Sequence, residues 1–138
     1  MTSYYFPASV DEAWLLRLRR HAFLRGVPLS GTAVGNRFTL PKGPERDAEI
    51  ASVKRWIDHA AVLGVPHIRV FAGNLAKPAT LAEAKALALA GLEECAEHAG
   101  RRGVFLGLEN HGGIVAEADD LLDLVRAAKS PWVGINLD

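Results

Sequence analysis

The chain has 138 residues, of which 49% are hydrophobic and 23% are charged, and this composition is typical of one globular domain rather than of a disordered segment. Sixteen basic residues balance sixteen acidic ones, so net charge gives no global attraction for nucleic acid or an anionic membrane. The single Cys95 excludes an internal disulfide and a multi-cysteine zinc site. Without a signal peptide or an apolar run of about 18 residues, we expect a cytoplasmic protein.

Capping motifs and apolar periodicity predict four helices. In a capping box, a Ser or Thr hydroxyl accepts the third helical N–H, and a Glu three residues later binds back to the cap. Two such boxes start predicted helices, at Ser9 and at Thr80. Glycines that follow the apolar periodic stretches supply the left-handed residue that ends a helix. The predicted helices cover residues 9–26, 45–63, 80–100 and 117–128.

Short apolar, β-branched runs between these helices predict strands. The runs do not alternate cleanly between apolar and polar residues, which is typical of strands buried on both faces. Because helices separate the runs, we expect the strands to pair in parallel. Residues 4–6 resemble the end of one more strand. The other predicted strands cover residues 28–34, 67–72, 104–109 and 132–138.

The predicted strand and helix units recur at nearly even intervals. The interval from Ala33 to Phe71 equals the interval from Phe71 to Glu109. An alternating strand–helix order predicts an α/β protein, either a doubly wound sheet or a barrel. Since an eight-unit barrel takes about 250 residues, a chain of 138 residues is expected to be too short to close alone, and both of its ends look cut.

Two carboxylates follow neighbouring predicted strands. Glu109 ends the strand at residues 104–109, and Asp138 ends the last strand. The carboxyl ends of parallel strands carry the functional groups of α/β proteins. Two close carboxylates repel each other unless a cation or a shared proton offsets their charge. The pattern therefore predicts a divalent-metal site, with Mn²⁺, Mg²⁺, Co²⁺ and Zn²⁺ all left open.

Side-chain alternation groups further polar residues with these carboxylates. If Glu109 and Asp138 point into a barrel, Asn136 lies on the same side as Asp138 and needs a polar partner. Arg69 on the preceding strand is expected to be that partner or to steady Glu109, because an unpaired arginine inside a barrel is costly.

Polar residues in the loops after the strands complete the candidate set. His111 stands beside two glycines, where it is expected to face substrate. Each assignment has a structural alternative: a hydrogen-bonded loop residue for His111, an ordinary ion pair for Arg69 and a solvated terminal carboxylate for Asp138. The predicted substrate-contact or supporting residues are His111, Asn110, Arg69 and Asn36.

The same motifs resemble a known family. Residues 104–113 read VFLGLENHGG, residues 133–138 read VGINLD, and residues 60–73 read AAVLGVPHIRVFAG. This pattern resembles the sugar phosphate isomerase/epimerase family of xylose isomerase-like TIM barrels, from the end of the second strand to the end of the sixth. The resemblance implies one α/β domain over residues 1–138, a partial TIM barrel of four to five strand–helix units that lacks the first unit and the last two strands.

The resemblance also implies an active site and a reaction. In this family a Glu, an Asp, a His and a second Glu hold one divalent metal; Glu109 matches the first and Asp138 the second. The other two ligands would lie beyond residue 138, so the isolated chain is expected to be inactive. The implied activity is metal-dependent isomerisation or epimerisation of a sugar or sugar phosphate. Glu109 is then the catalytic base that removes a proton next to a carbonyl and gives an enediolate.

Two alternative functions stay open. The same barrel carries polyol dehydration or endonuclease-type DNA repair, although repair favours a basic face that the net charge does not supply. A non-catalytic half-barrel would instead self-associate through its exposed sheet edges. The partner we expect is a small-molecule sugar or sugar phosphate, with no nucleic acid and no membrane, and a homo-oligomer is left open.

Overall fold

The computed structural model describes residues 6–7, 9–75 and 80–138. Apart from Phe6, the strand end predicted at residues 4–6 lies outside these ranges. Within them, helices and strands alternate in the predicted α/β order, with a 3₁₀ turn at Gly113–Val115. The helices are α1 (Glu12–Leu24), α2 (Pro44–Leu63), α3 (Leu81–Arg102) and α4 (Ala118–Ala127), and the strands are β1 (Thr32–Ala33), β2 (His67–Val70), β3 (Phe105–Glu109) and β4 (Val133–Asn136).

The strands form one sheet in which neighbours in sequence are neighbours in space. The order is β1-β2-β3-β4 and every pair is parallel, which confirms the predicted pairing. Because connections between parallel strands are almost always right-handed, this order predicts that the connecting helices lie on one face of the sheet. A doubly wound sheet reverses its strand order, and the described strands do not. The sheet is therefore built like part of a barrel wall.

The hydrophobic core lies between the sheet and the helices. Ile68 and Val70 on β2 and Leu106 and Leu108 on β3 are all 0% exposed. Because side chains alternate along a strand, the residues between them point to the opposite face, which carries the polar groups. The helices close the core with Val53, Ile57, Ala88 and Leu92, each also 0% exposed.

The first helix starts later than its sequence motif predicts. The capping box predicted at Ser9 is wrong, because α1 begins at Glu12 and Asp11 Oδ1 accepts the Trp14 N–H at 2.7 Å. A carboxylate directly before a helix satisfies a free amide and interacts favourably with the helix dipole. The capping box predicted at Thr80 is confirmed, with both of its reciprocal hydrogen bonds present.

The third helix runs past its predicted end. It continues through Gly100 to Arg102 and stops at Gly103, whose φ is 68°. Gly100 has a packing role instead: a Cβ there would lie 2.7 Å from the Trp132 indole. A larger residue at this position would push the indole away from α3. None of the helices in the described ranges is long and apolar enough to cross a membrane.

The outer strands are shorter than predicted, and the last one is also more exposed. β1 covers two residues rather than 28–34, and Pro28 has no N–H to donate to a ladder. β4 ends at Asn136, so Asp138 lies just beyond it. Burial on both faces is a wrong prediction for β4, where Ile135 is 43% exposed, because among the described strands β4 pairs only with β3.

Candidate metal and substrate site

Glu109 closes β3 at the carboxyl edge of the sheet, and its side chain is only 8% exposed. Its Oε2 lies 2.7 Å from Arg69 Nε. The Asn136 amide donates to the same oxygen at 3.5 Å, from the position paired with Glu109 in the ladder. The predicted contact between Arg69 and Glu109 is thus present, and it fixes the orientation of a nearly buried carboxylate.

A glycine on β3 makes room for these polar side chains. The register pairs Arg69 with Gly107, and Gly107 with Gly134. A Cβ at Gly107 would lie 3.0 Å from the Asn136 Cβ. A side chain at Gly107 would push Asn136 away from Glu109, so this glycine keeps space for the polar contacts.

His111 lies against Glu109 although most of its side chain is in solvent. Its Nδ1 is 2.8 Å from Glu109 Oε1, and its ring centroid is 4.8 Å from that of Phe71. The Arg69 guanidinium lies 4.0 Å from the same Phe71 ring centroid. Sequence reasoning did not select Phe71 as a site residue, although its position two residues after Arg69 on the same side of the chain was a usable signal.

Asp138 reaches the site from an exposed position. Its backbone N–H donates to Asn110 Oδ1 at 3.0 Å, and Asn110 Nδ2 donates to the Asp138 carbonyl at 3.2 Å. One asparagine side chain therefore continues the pairing of β3 with β4 beyond the end of the ladder. Asn110 holds the backbone of Asp138 in place, and its predicted contact with substrate stays a prediction.

Asn36 makes the same pair of contacts on the other side of the site. Its Nδ2 donates to the Phe71 carbonyl at 2.9 Å, and the Phe71 N–H donates to its Oδ1 at 2.8 Å. The residue is 6% exposed, which makes this the more deeply buried of the two links. Asn36 thereby fixes the chain just after β2, where Phe71 meets His111.

A cavity of about 180 Å³ opens between the loops after β1, β2 and β3. Its polar walls include Arg37, but that guanidinium is 2.9 Å from the Glu45 carboxylate and 3.7 Å from that of Glu49. The charge of Arg37 is therefore largely balanced on the protein side. The lining residues are Asn36, Arg37, Phe71, Ala72, Gly73, Asn74, Glu109, His111, Gly112 and Val115.

The donor set fits a divalent cation. Glu109, His111 and Asp138 each offer one ligand atom, and these atoms lie within 4.8 Å of one another. Carboxylate oxygens and an imidazole nitrogen suit Mn²⁺, Mg²⁺, Co²⁺ and Zn²⁺, and a cation would offset the repulsion between the carboxylates. Arg69 occupies Glu109 Oε2, so Oε1, beside His111, is the oxygen available to a metal.

Comparison with known proteins identifies solved structures that share this fold. A search of curated proteins finds no match. L-ribulose 3-epimerase is similar in structure, with a TM-score of 0.83 and 20% identity over 99% of this chain and 48% of that one. D-psicose 3-epimerase from Clostridium cellulolyticum H10, solved with D-tagatose, has a TM-score of 0.82 and 18% identity over 94% and 49% of the two chains.

A third solved structure was determined with a metal ion. It is a xylose isomerase-like TIM barrel protein from Mycobacterium smegmatis in complex with magnesium, with a TM-score of 0.72 and 19% identity over 94% of this chain and 47% of that one. The chain thus spans about half the length of these relatives, and at such identities the likeness shows the fold. The model of the family described as xylose isomerase-like TIM barrel matches residues 2–138, and the chain belongs to that family.

Proposed function

We propose that this chain carries part of the active site of a metal-dependent sugar or sugar-phosphate isomerase or epimerase. The observation that carries the proposal is the convergence of Glu109, His111 and Asp138 within 4.8 Å at the carboxyl edge of the sheet. Family membership and the epimerase activity of solved relatives with this fold support the choice of reaction. Because the chain spans about half of those relatives, we propose the activity for the complete barrel.

Glu109 is the proposed ligand and base, and Asp138 is the proposed second ligand. A divalent cation held by these carboxylates would polarise a substrate carbonyl and acidify the neighbouring C–H. Glu109 would then accept the proton from that carbon as a general base. The 2.7 Å contact with Arg69 supports this role, because it holds the carboxylate in one orientation before substrate arrives.

The remaining predicted residues divide into two proposed roles. Asn36 and His111 line the cavity, which supports the proposal that they contact a sugar hydroxyl. Arg69 and Asn110 act through the carboxylates, since Arg69 binds the side chain of Glu109 and Asn110 binds the backbone of Asp138. The small cavity beside Glu109, with polar groups in its walls, supports a compact polyhydroxylated substrate.

Metal binding by the 138-residue chain tests the proposal directly. Titration with Mn²⁺, followed by electron paramagnetic resonance, is expected to show one site that Glu109→Gln abolishes. The matched control is Glu93→Gln, which removes one negative charge from an exposed position on α3 and is expected to leave binding unchanged. Undiminished binding in Glu109→Gln, or equal losses in both variants, contradicts the ligand assignment.

Mn²⁺ bound at this site also serves as a probe of the substrate class. D-tagatose carries a carbonyl next to a hydroxyl, whereas its reduced form galactitol carries hydroxyls alone. We expect D-tagatose to displace water from bound Mn²⁺ and lower the water proton relaxation rate, with a weaker effect from galactitol at equal concentration. Equal effects of the two compounds would contradict recognition of a carbonyl and favour a polyol substrate.

A further inference from the structure

We infer that His111 is a third protein donor to the divalent cation and that Phe71 is the positioning residue that holds it there. The inference rests on the proposed function, because it concerns the same metal site. It goes beyond the ligand pair Glu109 and Asp138, and it changes the predicted role of His111 from substrate contact to metal ligand. Its basis is a set of contacts that fix an otherwise exposed imidazole.

The His111 side chain is 63% exposed, so burial alone does not fix its ring. Two contacts do: Nδ1 lies 2.8 Å from Glu109 Oε1, and the ring packs on Phe71 at 4.8 Å between centroids. Neutral imidazole is a common ligand of Mn²⁺, Co²⁺ and Zn²⁺. An imidazole held beside the available oxygen of Glu109 is therefore already near the place that a ligand must occupy.

Phe71 is itself held from two directions. Its backbone N–H and carbonyl both bind the Asn36 amide, and its ring lies 4.0 Å from the Arg69 guanidinium. The aromatic ring thus contacts both residues that bind the two oxygens of Glu109, since Arg69 binds Oε2 and His111 lies on Oε1. Shortening this side chain would remove a ring contact from His111 and from Arg69 at once.

The loop that carries His111 is also tied in place. Gly112 and Gly113 have φ values of 73° and 62°, which L side chains rarely adopt. The turn brings the Ile114 N–H to 3.2 Å from the Gly73 carbonyl, and a Cβ on Gly113 would lie 2.3 Å from that same oxygen. The loop after β3 is therefore packed on the loop after β2, and His111 enters the site from a fixed backbone.

Pulsed electron paramagnetic resonance of Mn²⁺ bound to the full 138-residue chain tests the ligand. Nitrogen directly bound to Mn²⁺ modulates the echo decay. We expect this ¹⁴N modulation in the wild type and its loss in His111→Gln, whereas His21→Gln, an exposed histidine on α1, should retain it. Mn²⁺ that binds in a Glu109-dependent way without ¹⁴N modulation overturns this inference and leaves the proposed function standing. A wild type that binds no Mn²⁺ overturns both.

Two substitutions at one position test the positioning role. Phe71→Leu is expected to weaken Mn²⁺ binding by about tenfold, as is usual when a group that orients a ligand is removed, and to reduce the ¹⁴N modulation. Phe71→Tyr keeps the aromatic ring and is expected to retain both. Thermal unfolding without metal identifies any variant that fails to fold. Equal Mn²⁺ affinity and equal modulation in wild type and a folded Phe71→Leu overturn the role of Phe71.

Discussion

Glu109 and Asp138 meet at one site but belong to regions that are built differently. Glu109 ends β3, which has a strand on each side and a neighbouring side chain, Leu108, that is 0% exposed. Asp138 follows β4, where Ile135 is 43% and Leu137 is 86% exposed. Glu109 is fixed by burial and an ion pair, whereas Asp138 depends on two hydrogen bonds between its backbone and the Asn110 side chain. A functional site can therefore combine a rigid half with a half whose position rests on one side chain.

Core truncations should show the largest difference between the two strands. Leu106 on β3 is 0% exposed, so Leu106→Ala leaves a cavity and is expected to lower the free energy of unfolding by about 3 kcal/mol. Ile135→Ala on β4 removes a side chain already in contact with water and should cost less than about 1 kcal/mol. Urea denaturation measures both. Similar losses would mean that β4 is as well packed as β3.

Substituting Glu109 and Asp138 in turn compares how much each carboxylate contributes to metal binding. Glu109→Gln should lower Mn²⁺ affinity by at least about 100-fold, or about 2.7 kcal/mol, because Glu109 is held in place before the ion binds. Asp138→Asn should cost only about tenfold, since the ordering of an exposed side chain offsets part of its contribution. Calorimetric titration gives both values, and the reverse order would contradict the comparison.

Asn36 and Asn110 allow a buried position and an exposed position to be compared again, here by their contributions to stability. Asn36→Ala removes two hydrogen bonds from a residue that is 6% exposed and should lower the free energy of unfolding by about 2 kcal/mol. Asn110→Ala removes the equivalent pair next to solvent, where water replaces it, and should cost less than about 1 kcal/mol. Urea denaturation distinguishes the two; a larger loss for Asn110 would contradict this account.

We expect the smallest effect on the free energy of unfolding from Glu94, a carboxylate on the outer helical surface. The hydrogen bond from Lys54 Nζ, with Arg46 nearby, lowers the pKa of the Glu94 carboxyl. A lowered pKa in the folded state means that this stabilisation is present above the unfolded value of about 4.3 and is lost as the pH falls through the folded pKa. Because the side chain is 45% exposed, Glu94→Gln should cost under about 0.5 kcal/mol at pH 7.

This prediction is checked by measuring how the stability loss in Glu94→Gln changes with pH. Unfolding free energies of wild type and Glu94→Gln should differ at pH 7 and converge near pH 3. Glu93→Gln, one residue away on the exposed face of α3, serves as the control and should follow the wild type at both pH values. A difference for Glu94→Gln that grows toward acid would contradict the direction of the pKa shift.

Features that depend on local chain chemistry were predictable from the sequence. The capping box at Thr80 and the left-handed Gly64 at the end of α2 need only neighbouring residues. The parallel order follows from strands separated by helices, and the approach of Glu109 to Asp138 follows from their places at strand ends. Arg69 was paired with Glu109 correctly because alternation along neighbouring strands puts both side chains on one face.

Features that depend on tertiary contacts were not predictable from one sequence. Gly100 has the sequence context of a helix end, but the Trp132 indole occupies the space that its side chain would need. Phe71 looks like any apolar strand residue until the structure places it between Arg69 and His111. Alternation along β2 puts Phe71 on the same side as Arg69, but Trp132 and His111 are distant in sequence from Gly100 and Phe71. Neither periodicity nor a capping rule reveals those two contacts.

The asparagine links have a consequence for how the barrel mouth opens. Backbone ladders hold strands about 4.8 Å apart, a gap that admits no ligand. Where Asn36 and Asn110 take over from the ladder, a side chain spans the interval between chains while both backbone groups of its neighbour remain satisfied. The chains can then separate beyond the ladder without leaving backbone amides unpaired, and one of the two linking side chains, Asn36, lines the recess beside Glu109.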